Sequence, residues 1–200
     1  MIANRARERG PAQPRNESRA FVLPSTVSRP ALLDKGSDRR FRQLVYDLFT
    51  IAARMDAARE HLARLIDISG PQYSVLVAVA QFQGKAGVSV GRLAKVLQVT
   101  SAFVATETGR LAALGLLQKR SNPEDRRGVL INLTRNGRQQ IAKLSPEIRA
   151  INDLFFRQLD RRSFSALASA ATALVHGSRK VDDRLKMLAM GSEEMLEAAE

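Results

Sequence analysis

The sequence predicts a mainly α-helical chain with a small β wing, in which a compact winged segment sits between long helices from the two ends of the chain. Three observations predict it. Residues 89–134 hold two short amphipathic stretches followed at once by an alternating, turn-bearing segment; residues 38–67 and 146–190 repeat apolar residues at helical spacing; and residues 1–37 show neither pattern.

The chain has 200 residues, one domain's worth by length, and 44% of them are hydrophobic, enough for a sizeable core. Its formal net charge of +12 favours a polyanionic partner. Nucleic acid is the first expectation and a membrane surface the competing one. No stretch approaches the roughly 18 consecutive apolar residues that a bilayer span needs, and the residues after Met1 lack the apolar core of a secretion signal. A cytoplasmic location is expected. The absence of cysteine excludes disulfides, thiolate metal sites and thiol-based redox switching. His61 and His176 lie far apart in no ligand spacing, so neither a metal nor another cofactor is expected.

In residues 1–37, Arg5, Arg7, Arg9, Arg15, Arg19 and Arg29 alternate with Gly10, Pro11, Pro14, Pro24 and Pro30. Such a composition buries too little apolar surface to offset its ordering entropy, so a disordered basic arm is expected. It either grips DNA phosphates or a groove, or is a solvated tail. From 38 to 67 the helical period is carried by Phe41, Leu44, Leu48, Ile51, Met55, Leu62 and Leu65. That apolar side needs more partner surface than one small winged domain supplies, which points to a second subunit; the rival is a compact monomer whose termini pack on each other. Gly70 and Pro71 punctuate, and a helix over 72–83 presents Tyr73, Leu76, Val77, Ala80 and Phe82.

The stretch SVGRLAKVLQV opens with Ser89, a residue type that caps helix starts, and places Val90, Leu93, Ala94 and Leu97 on one face. TSAFVATETGRLAALGLL follows, with Thr100 or Ser101 as cap, Val104, Leu111 and Leu114 directed to the core, and Gly115 as terminator, since the residue past a helix often needs positive φ. Two strands are then expected from Leu116, Leu117, Val129, Ile131 and Leu133, with Asn122, Pro123, Asp125 and Gly128 turning between them. Thr134 is placed to cap a helix that bends at Pro146 and carries Ile141, Leu144, Ile148, Ile151, Leu154 and Phe155. Asp160 or Ser163 caps a last helix with Phe164, Leu167, Leu174, Val181, Leu185 and Leu188 on its seam, and residues 191–200 form a flexible acidic tail. The expected organisation is a winged helix-turn-helix over 70–145, with dimerisation helices from 38–68 and 146–190.

A short helix pair followed by a basic hairpin suits duplex DNA. The second helix can enter the major groove, while Lys119 and Arg120 on the rising strand and Arg126 and Arg127 at the hairpin tip reach phosphates or the narrower minor groove. The bland alternative is a small α+β core with a solvated basic loop.

The pattern resembles the MarR family of bacterial transcriptional regulators. The resemblance rests on the long first helix, LAKVLQVTSAFVATETGRLAALGLL ending at Gly115 and Leu116, the wing PEDRRGVLINLT with Asp125 and Arg127, and LTRNG at 133–137, and it covers about residues 38–190. It implies a homodimeric, ligand-responsive regulator, most simply a repressor, on a pseudo-palindromic operator. The helix from Ser101 would enter the major groove, Arg127 would reach the minor groove, and Asp125 would orient the wing. A carboxylate there repels phosphate unless it holds a neighbouring cation such as Arg126 or Arg127. An arginine is favoured in a narrow A·T-rich minor groove. The helix departs from the commoner family pattern in Ala102, Phe103, Ala105 and Thr106, with Glu107 and Gly109 between. Base reading is therefore expected from apolar contact with thymine methyls, Phe103 included, and from Thr100, Ser101, Thr106 and Arg110.

The resemblance further implies a small-molecule effector, an aromatic carboxylate, a phenol or an acyl-CoA. Phe49, Tyr73 and Phe82 could line its pocket and Arg54, His61 or Arg64 neutralise an anion; the plainer reading of these aromatics is core packing. No phosphate-binding glycine loop, nucleophile elbow or metal motif is present, so an enzyme is not expected. A basic helical adaptor and a nucleoid-type DNA-binding protein without an effector are the competing functions.

Overall fold

The computed structural model describes residues 21–122 and 128–197, with side chains to 189. It divides into two compact units, Met1–Arg54 and Met55–Glu200, with the boundary inside the first helix. The first 20 residues of the expected arm, the wing-tip residues Asp125, Arg126 and Arg127, and the last part of the expected tail lie outside the described residues.

In the first unit, residues 21–37 follow a defined path where composition alone predicts disorder. The reason is Asp38, a buried carboxylate that accepts from the backbone N–H and the hydroxyl of Thr26, both at 2.7 Å, and from the guanidinium of Arg42. Between them, Pro30–Leu32 forms a single 3-10 turn, and Asp34 and Ser37 exchange backbone hydrogen bonds of 2.8 and 2.9 Å. Helix α1 spans Arg39–Arg64. Of its apolar residues, Leu44, Leu48, Ile51 and Met55 are exposed in the single chain, and Leu62 and Ala63 are buried.

The second unit holds the core. Helix α2, Gly70–Phe82, starts in a capping box: Ser69 accepts from the N–H of Gln72, whose side chain in turn accepts from the N–H of Ser69. Gly70 lets Glu60 close in: its N–H donates to that carboxylate at 3.2 Å, and a Cβ would fall 1.9 Å from it, so the glutamate would have to swing aside for any larger residue. Val75, Leu76 and Val79 of α2 are fully buried against Leu93 of helix α3 (Val90–Leu97) and Val104 and Leu111 of helix α4 (Ser101–Ala113).

The expected two-stranded wing is a three-stranded antiparallel sheet. Strand β1 (Val88–Ser89) pairs with β3 (Val129–Leu133), which pairs with β2 (Leu117–Ser121), in the order β1-β3-β2. Val88 lies opposite Ile131 and Leu117 opposite Leu133. Strand β1 has no signature in the sequence, because two residues carry no alternation to detect. One core assignment also changes: Leu114 follows the last helical turn and is 52% exposed.

Helix α5 spans Arg135–Phe155 and runs through Pro146 without a break. Thr134 caps it, as expected, by accepting from the N–H of Gly137 at 2.9 Å. Asp160, not Ser163, caps helix α6, accepting from the N–H of Ser163 at 2.8 Å. Helix α6 spans Arg161–Glu197, and its apolar seam, Phe164, Leu167, Leu174, Val181, Leu185 and Leu188, is exposed throughout.

Candidate nucleic-acid interface

Helices α3 and α4 are held as a rigid pair by their caps and their shared core. Ser89 accepts from the N–H of Arg92 at 3.2 Å, and Thr100 from the N–H of Phe103 at 3.2 Å, so each helix begins at a fixed residue. The turn between them is closed by Gln98 in the left-handed region, φ 55°. On α4, Val104, Glu107, Thr108 and Leu111 are buried, which leaves Ser101, Ala102, Ala105, Thr106 and Ala113 facing outward. This outward face is smooth, and thymine methyls and sugar carbons could approach its alanines closely.

Two cations accompany it. Arg110 is exposed at the edge of this face, and the ammonium of Lys119 on β2 lies beside Gly109 in its middle, where a Cβ built on the glycine would come within 3.7 Å of it. Arg120 is exposed on the same strand. Thus Ser101, Thr106, Arg110, Lys119 and Arg120, all expected from the sequence as contacts, are exposed, with Lys119 and Arg120 on opposite faces of β2. The hydroxyl of Thr100 is occupied as the cap. Phe103 departs from expectation: it is half-buried, packs against the core and turns away from the outward face.

The residues expected to hold an effector are not gathered within either unit. Phe49 and Arg54 are exposed in the first unit. In the second, the imidazole of His61 meets the carboxylate of Glu147 at 3.5 Å, and Arg64 is exposed. Phe82 packs on the core with the guanidinium of Arg92 stacked 5.5 Å above its ring. Tyr73 is half-buried, and that burial raises the pKa of its phenol.

A cleft of about 250 Å³ lies elsewhere in the second unit, lined by Arg59, Pro71, Ser74, Val75, Leu97, Val99 and Phe103. Arg59 makes long ion pairs to Asp56 and Glu60 (3.4 and 3.7 Å), while its Nε is buried and meets no acceptor among the described residues. No sequence signal marks this cleft, because its walls come from four helices and a turn whose apolar residues read as ordinary core. Among the described residues no cluster of His, Asp or Glu could hold a metal ion, and no helix is long and apolar enough to cross a membrane.

A capped helix pair backed by α2 and followed by an antiparallel wing defines a winged helix-turn-helix protein. Residues 66–128 match the model of the MarR family, the family that the sequence resembles. Solved structures share the fold. The MepR–DNA complex of S. aureus has a TM-score of 0.58 and 19% identity, covering 66% of this chain and 96% of that one. A cysteine-to-serine mutant of E. coli MarR complexed with operator DNA has a TM-score of 0.57 and 20% identity, covering 68% and 95%. BpsR of Bordetella bronchiseptica, whose DNA binding is regulated by 6-hydroxynicotinic acid, has a TM-score of 0.55 and 24% identity, covering 66% and 98%. No curated protein sequence matches the chain significantly.

Proposed function

We propose that this protein is a sequence-specific DNA-binding transcriptional regulator that acts as a homodimer on a pseudo-palindromic operator and is released by a small-molecule effector. The observation that carries the reading is α4 itself, a helix capped at Thr100, seated on α2 and α3, with an outward face of small residues that Arg110 borders and the ammonium of Lys119 reaches beside Gly109. The bare seams of α1 and α6 support the dimer. Apolar stripes of that length at helical spacing call for cover, and two-fold pairing is the commonest way to supply it.

The effector reading is supported by the Arg59 cleft. Its volume suits a single-ring carboxylate or phenol with the ring against Phe103 and Val75 and the anion on the free Nε. An acyl-CoA is far too large for it. Occupation would press on Val99 and Phe103, the residues that enter α4, and so would act through the difference in affinity between two positions of the reading helix.

The test is a mobility-shift titration with the DNA flanking the coding sequence. A discrete complex that resists unrelated competitor is expected, with log affinity falling by roughly 0.9 per log unit of salt for each phosphate neutralised. A smear lost equally to any competitor would favour a nucleoid-type protein and defeat the operator reading. The same titration with Arg127→Ala tests the wing, where a strong loss of operator affinity in an intact dimer is expected.

A further inference from the structure

Glu107 is the sole acidic side chain on α4, and it is buried, with 5% of its surface exposed. A buried carboxylate loses its hydration and persists only where something compensates it. Here Oε1 accepts from Nη1 of Arg110 at 2.7 Å, while Oε2 is buried and meets no donor among the described residues. The pair is lopsided: the side chain of Glu107 is 6% exposed and that of Arg110 is 64% exposed. An ordinary i,i+3 pair on a helix surface has both ends in water and adds little. This one has a fixed end and a free end, and the fixed end gains nothing for packing that an apolar side chain of similar volume would not supply.

We propose that Glu107 is a positioning residue for DNA recognition: it anchors Arg110 on the flank of α4, so that the guanidinium meets the duplex in one orientation. The inference rests on the DNA-binding reading above. Two consequences follow from the geometry. The rotamer freedom of a long side chain is surrendered before binding, so less is lost when the N–H donors left free engage a base edge or phosphate. The neighbouring negative charge also offsets the guanidinium's indiscriminate pull on phosphates, leaving directional hydrogen bonding as its main contribution. Glu107 thereby serves discrimination more than affinity.

The test is a double-mutant cycle read as the ratio of affinities for the flanking-DNA fragment and an unrelated duplex of equal length. Glu107→Leu removes the acceptor while filling the volume. It is expected to keep or raise the thermal midpoint, because a well-packed apolar residue often matches or betters a buried charge. Its discrimination ratio is expected to fall about tenfold, the scale of one well-oriented arginine contact. In an Arg110→Ala background the same substitution should leave the ratio within about twofold. Glu107→Gln, which keeps an oxygen acceptor, should recover most of the ratio. Equal losses in both backgrounds, no loss in either, or a glutamine variant no better than leucine would overturn the positioning role. A wild-type chain that forms no discrete complex would instead defeat the DNA-binding reading, which the first lane of the same experiment reports separately.

Discussion

The hydroxyl of Thr134 lies 2.6 Å from the carbonyl oxygen of Gly115, and so joins the residue that opens α5 to the residue that closes α4. The same residue's N–H donates to the carbonyl of Leu116 at 3.0 Å, while its oxygen accepts from the N–H of Gly137 at 2.9 Å. One threonine therefore caps a helix and ties off the end of α4 and the base of the wing. Thr134→Val keeps the shape and removes the oxygen. Loss of a cap costs about 1 kcal/mol, and loss of the hydroxyl's donation, shared between Gly115 and the part-buried carbonyl of Leu116 at 3.1 Å, about another, so a destabilisation of about 2 kcal/mol is expected. Urea unfolding checks it, with a lowered midpoint and an unchanged slope.

Gly137 lies three residues beyond that cap, packed where a Cβ would stand 2.1 Å from the carbonyl oxygen of Leu116. Backbone cannot yield as a flexible side chain can. Gly137→Ala should therefore destabilise by roughly 3 kcal/mol, even though alanine is the better helix former. Gly177 in α6 has nothing within 4 Å of a Cβ, and Gly177→Ala should stabilise its helix by up to about 1 kcal/mol. Opposite shifts in thermal midpoint for two glycine-to-alanine changes would separate steric need from chance composition.

Arg59→Ala tests the cleft without touching the outward face of α4. Operator affinity should stay within about threefold of wild type, whereas the benzoate concentration needed to release the operator should rise at least about tenfold, the cost of one charge-assisted contact. Release at an unchanged concentration would place the effector elsewhere, with Phe49, Arg54, His61 and Tyr73 as the next candidates.

Much of the fold is legible in the sequence because its signals are local. Ser89, Thr100 and Thr134 cap the helices they precede, and Gly115 takes the φ of +69° that its place after α4 demands. The legible part ends where a role depends on distant residues. Phe103 and Thr106 sit three residues apart on one helix, but only packing reveals that one lines a cleft and the other faces solvent. Glu107 looks like a surface charge until the core beneath α4 is known. Strand β1 exists because Val88 finds Ile131, more than forty residues away, and nothing in Val88 and Ser89 announces that pairing.

Asp38 gives the first unit a dependence on acid. The N–H and hydroxyl of Thr26 and the guanidinium of Arg42 all favour its ionised form, and they hold its pKa below the usual carboxylate range against the opposing effect of burial. A group whose folded pKa is depressed contributes stability that is fully present above its unfolded value, about 4, and is lost as pH falls through the lower folded value. The tether between Thr26 and Asp38 should therefore hold at neutral pH and release only below about pH 4. Amide exchange at Thr26 reads this directly: strong protection at pH 7, and exchange on acidification that rises beyond the intrinsic trend of neighbouring exposed amides. Asp38→Asn keeps an oxygen acceptor but lacks the charge and the titration. It should show weaker protection at pH 7 and no excess acid-dependent rise. An Asp38→Asn profile that still rose as wild type does would assign the acid response to another group.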